Sequence, residues 1–119
     1  MKSLRTKKTE EGYAKFIKSG FLSEDCNLCN KKKTKSIREF KHWRIVKNIF
    51  PYDRIAKIND MLVSKRHTID EKLTGAERKE LNLLKRKYID KNYEFIIEGT
   101  FKKKSIPEHF HVQLIVVKS

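Results

Sequence analysis

At 119 residues the chain has length for one domain with a modest core and hardly for two. Its 29 Lys and Arg exceed its 15 Asp and Glu by 14 charges, so the lysines either solubilise the chain or meet a polyanion: nucleotide, nucleic acid or acidic membrane surface. No apolar run approaches a membrane span, and the basic start "MKSLRTKKTEEG" has neither an apolar core nor a cleavage site, so a cytoplasmic protein with no membrane partner is expected.

Residues 1–9 are polar and basic and predict a loose arm. In "EEGYAKFIKSG", Tyr13, Phe16 and Ile17 fall at helical spacing, and Gly20 suits a position just past a helix end. "FLSEDCNLCNKKKTKS" is turn-rich. "REFKHWRIVKNIF" mixes aromatic and β-branched residues and predicts a strand, broken by "PYDR". "AKINDMLVSKRH" predicts a second strand. In "LTGAERKELNLLKRKYIDKN", Thr74 and Glu77 form a capping-box pattern and Leu81, Leu84 and Tyr88 an apolar stripe, so this is the clearest helix. "YEFIIEGTF" and "FHVQLIVV" predict two more strands, joined by the lysine loop "FKKKSIPE" closed by Pro107. The sum is an α+β domain: an antiparallel sheet with helices packed on one face.

The last predicted strand carries the most informative pattern. Alternation puts His109, His111 and Gln113 on one face, and Phe110, Val112 and Leu114 on the other, where they can pack on the helix. Two histidines on a strand are often only polar decoration. Here a cationic loop leads into them, which suits a phosphate site. A neutral imidazole attacks phosphorus well when its second nitrogen is held as a donor, and a neighbouring amide N–H can steady the phosphoryl charge.

His-x-His-x-Gln resembles the motif of the histidine-triad (HIT) superfamily, in the branch of galactose-1-phosphate uridylyltransferase and the diadenosine tetraphosphate phosphorylases. "DMLVSKRHTIDEKLTGAERKEL" is similar to that superfamily's strand, Lys-x-His turn and Leu-Thr helix opening, and "KNIFPYDR" resembles its substrate-side turn. The likeness covers roughly residues 26–117. It implies a single HIT-like domain over 26–119, preceded by the basic arm and short helix of 1–25. It also implies an activity on nucleotides or dinucleotides. His111 would attack the α-phosphorus and form a nucleotidyl-histidine, with Gln113 bonded to the phosphoryl group, for transfer or hydrolysis. Phe50 and Tyr52 would touch the base, Lys104 and Ser105 the phosphates, and a homodimer would be in keeping with the superfamily. The phosphate loop departs from the pattern. Gly99 lies well upstream, Ser105 stands where glutamine is common, Phe110 replaces the proline of the uridylyltransferases, and the second domain of the larger transferases is missing.

Cys26 and Cys29, in "CNLCN", are too close to staple the fold, so metal or redox chemistry is expected of them rather than a structural disulfide. Zinc takes four ligands, so two more must come from elsewhere. The resemblance implies the set Cys26, Cys29, His67 and His109 around a structural zinc, with His42 as the substitute should His67 not serve. A rival expectation needs no enzyme. The charge, the lysine clusters 31–33 and 102–104 and the aromatics also suit a zinc-containing RNA-binding module with a non-catalytic HIT-like fold.

Overall fold

A computed structural model describes residues 3–18, 26–29, 34–103 and 106–119. Five antiparallel strands form one sheet: β1 (Ser36–Glu39), β2 (Trp43–Lys47), β3 (Ala56–Ser64), β4 (Phe95–Ile97) and β5 (His111–Val117). Their order is β1-β2-β3-β5-β4, so the histidine strand lies next to the centre. With the helices described below this is the expected α+β architecture. The first strand expected from the sequence is instead a hairpin. "REFKHWRIVK" turns at residues 40–42, where Phe40 N–H donates to the Trp43 carbonyl at 2.8 Å.

The helix α2 (Gly75–Leu84) covers one face of the sheet. Its start follows from the capping box: Thr74 Oγ1 accepts from the Glu77 backbone N–H at 3.1 Å, and Glu77 Oε1 accepts from the Thr74 N–H at 2.8 Å. Leu81 and Leu84 pack on Trp43, Ile45, Leu62, Phe110, Val112 and Leu114, as alternation on the last strand requires. The helix runs on through a wider turn, Lys85–Ile89, and a last α turn, Asp90–Asn92. This seats Ile89 in the core and Tyr88 against Phe40.

The opposite face carries Val46, Val63, His111 and Gln113. Near it lies α1 (Lys7–Lys18), whose Tyr13 and Phe16 meet the Phe50 ring at centroid distances of 5.4 and 5.0 Å. The expected loose arm is anchored. Thr6 N–H donates to Asp53 Oδ1 at 2.8 Å, the Thr6 and Thr9 hydroxyls reach Asp53 Oδ2, and Arg54 N–H donates to the Leu4 carbonyl. Thr6, just before α1, accepts from the Thr9 N–H at 3.4 Å in the manner of an N-cap, and Asp53 braces that cap from another part of the chain. Gly20 lies outside the described residues. Among those described, no helix is long and apolar enough to cross a membrane.

Candidate functional site

The turn after β3 and the entry to β5 are tied together by their backbones. Phe110 N–H donates to the Thr68 carbonyl at 2.7 Å, and Ser64 N–H to the Phe110 carbonyl at 3.3 Å. Arg66 fastens the same turn to α2, with Nε and Nη2 on the two Glu77 carboxylate oxygens at 3.2 and 2.9 Å. The Arg66 bonds, more than any other cause, bring the Glu77 carboxyl down to a pKa of about 2. His67 and His109 are thus held face to edge, with ring centroids 5.1 Å apart.

Cys26 and Cys29 approach them from a tight turn in which Cys29 N–H donates to the Cys26 carbonyl. Arg44, buried on β2, holds this turn from beneath. Its Nη2 donates to the Leu28 carbonyl at 2.6 Å and its Nη1 to the Thr34 carbonyl at 2.6 Å. The result is a four-residue cluster, Cys26, Cys29, His67 and His109, with ligand atoms all within 4.8 Å of one another. His109 Nδ1 lies 3.4 Å from Cys26 Sγ, 3.3 Å from Cys29 Sγ and 3.3 Å from His67 Nδ1. His109 Nε2–H donates to the Ser64 carbonyl at 2.6 Å, so the lone pair of its ring is on Nδ1, inside the cluster. Burial lowers the pKa of His109 and keeps it neutral, as a metal ligand must be. Burial, then the Cys26 thiol, push the Cys29 thiol up to about 11 in the metal-free chain, so a metal must displace its proton. The cluster is compatible with a metal site. His42 is not part of it: it sits in the β1–β2 turn, with its backbone N–H on Glu80.

Two residues along β5 a second site begins. His111 Nδ1 lies 2.9 Å from the His109 carbonyl, which can only accept, so Nδ1 carries a proton and, in the neutral ring, Nε2 carries the lone pair. Gln113 is fixed in the same sense. Its Oε1 accepts from Asn48 Nδ2 at 3.1 Å and from Asn59 Nδ2 at 2.8 Å, which leaves its NH2 group as the end without a partner among the described residues. The same two asparagines accept from the backbone N–H groups of Phe50 and Tyr52, at 3.0 and 2.8 Å. One amide network therefore sets both the glutamine and the aromatic turn.

His111, Gln113, Phe50 and Tyr52 line a common pocket of about 380 Å³, a size suited to a small organic ligand. Arg5, Lys35, Lys47 and Lys103 line it too, and among the described residues no Asp or Glu does. Lys104, Ser105 and the lysines 31–33 lie outside the described residues. Sequence reasoning missed Asn48, Asn59, Arg44 and Arg5. The one local sign was Asn59, a polar residue interrupting the apolar positions of β3; the others look like ordinary surface residues. No protein-family model matches the chain, and no curated protein matches it.

Proposed function

We propose that this chain is a nucleotidyl transferase or nucleotide hydrolase of the histidine-triad type, working through a nucleotidyl-histidine at His111, with a structural zinc. The observation that carries this reading is the His111 ring: Nδ1–H rests on the His109 carbonyl at 2.9 Å and the residue lines a cationic pocket. A fixed tautomer concentrates nucleophilicity on one nitrogen. The Nε2 lone pair attacks the α-phosphorus, an N–P bond forms, and the P–O bond to the leaving phosphate breaks. Water or a phosphate oxygen then displaces the imidazole. The Gln113 NH2 donates to a non-bridging oxygen as charge develops there. Phe50 and Tyr52 give the nucleoside an aromatic wall, and the lysines offset the phosphate charge.

Zinc is supported by distance. Bonds of about 2.3 Å to sulfur and about 2.05 Å to nitrogen, at tetrahedral angles, put two nitrogens about 3.3 Å apart and nitrogen and sulfur about 3.6 Å apart. The cluster has 3.3 Å between its imidazole nitrogens and 3.3–3.4 Å between nitrogen and sulfur. Four protein ligands leave no open position, so the metal holds the fold and takes no part in the chemistry.

The test is intact-mass analysis, away from acid, after incubation with dinucleotides and nucleotide sugars. Wild-type protein should gain one nucleotidyl group; a His111→Asn variant should stay folded and metal-loaded and gain none. Labelling of His111→Asn like the wild type would rule the mechanism out. Failure of every donor to label or turn over with folded wild-type protein would favour the RNA-binding module.

A further inference from the structure

Among the described residues, Arg5 is the one arginine lining the pocket, and it is held with care. Its Nε–H donates to the Phe50 carbonyl at 2.7 Å. Its guanidinium lies over the Tyr13 ring at 4.4 Å and the Tyr52 ring at 5.0 Å. Yet the two terminal NH2 groups have no acceptor among the described residues. The carboxylates of this corner are engaged elsewhere: Glu10 bonds Ser3, and Asp53 bonds Thr6 and Thr9. A half-buried guanidinium between two aromatic rings, with its fork open to a pocket lined by no carboxylate among the described residues, is arranged for an anion.

We propose that Arg5 forms a second anion subsite in this pocket, taking a phosphate group of the ligand other than the one that meets His111. The ligand is then a molecule with two phosphate groups, reaching from the Gln113 end of the pocket to the N-terminal helix. That the group at His111 is a reacting phosphoryl rests on the proposed function; the anion subsite itself does not. The anchored arm also gains a purpose. Asp53, by bonding Thr6 and Thr9, holds in place the segment that supplies Arg5.

Inorganic pyrophosphate is the probe. It is titrated into isotope-labelled His111→Asn protein, which cannot be labelled covalently, while the side-chain Nε–H signal of Arg5 is followed by NMR. The signal should shift with the same saturation curve as binding measured by calorimetry. Arg5→Gln should weaken pyrophosphate about tenfold or more, the usual range for losing hydrogen bonds to a charged group. Arg5→Lys should recover part of it. Arg78→Gln, which removes the same charge on α2, should bind as the parent does. The proposal is overturned by an Arg5 signal that stays still at saturation, by unchanged affinity in Arg5→Gln, or by absent pyrophosphate binding. Each result is independent of whether the wild-type protein ever carries a nucleotidyl label. The Arg5 signal is read without mutating the arm, so an arm loosened in Arg5→Gln would not obscure the answer.

Discussion

The ring of His111 is oriented by the main chain of His109, whose own ring points into the cysteine–histidine cluster. One residue therefore belongs to both sites, through different atoms. Disturbing the cluster should shift the carbonyl that holds the proposed nucleophile.

Purified, untagged protein should contain about one zinc per chain. Removing the metal should lower thermal stability, because metal-binding free energy is part of folding free energy at such sites. Metal-free protein should also label at His111 at least about tenfold more slowly, in keeping with the 10–100-fold losses seen when groups supporting a site are disturbed. Restoring zinc should restore both. Full labelling by metal-free protein would mean that the two sites are uncoupled.

The ligand set separates two histidines. Cys26→Ser and His67→Ala should each lose metal and melt at lower temperature. His42→Ala should keep its metal, since only the backbone of His42 is used by Glu80. Metal analysis of the three variants decides this, and metal retained in His67→Ala but lost in His42→Ala would reverse the assignment.

The amide network makes Asn59 a positioning residue for Gln113. Asn59→Asp keeps the acceptor for the Tyr52 N–H but cannot donate to Gln113 Oε1. The glutamine should then turn its carbonyl toward the pocket. Labelling should slow by about a hundredfold, as for Gln113→Ala, the usual cost of one donor to a developing oxyanion. The Gln113 side-chain amide signals in an NMR spectrum should shift as well, which a merely destabilised variant would not require. A full labelling rate in Asn59→Asp would sink this role.

Glu77 predicts a pH dependence. Arg66 first, then Thr74, hold its carboxyl at about 2, below its ordinary value near 4.5. The folded state thus favours the charged form, and the stabilisation is present above about pH 4.5 and fades as pH falls toward 2. Glu77→Gln keeps an acceptor for the Thr74 N–H but loses the charge paired with Arg66, so it should be less stable than wild type near neutrality. The difference should shrink through that acid window. Denaturation of both proteins at matched pH measures it, and a gap that stays constant down to pH 2 would contradict the assignment.

What the sequence determined by itself was local or carried by a motif. Alternation along "FHVQLIVV" put Phe110, Val112 and Leu114 on the helix side and His111 and Gln113 on the other, because a strand repeats every two residues whatever surrounds it. Thr74 and Glu77 announced the helix start because a capping box closes within four residues. The four cluster residues could be named from their order in the resemblance. Their convergence, Cys26 upon His109 across 83 positions, depended on the strand pairing and on the buried Arg44 beneath the cysteine turn. The hairpin in "REFKHWRIVK" and the anchoring of the arm were decided by tertiary contacts alone. Arg5 meets Phe50 across 45 positions, and Asn48 and Asn59 meet Gln113 across 65 and 54. An arginine in a basic arm and asparagines on or just after strands are common surface residues, and only the partner brought opposite each gives it a task.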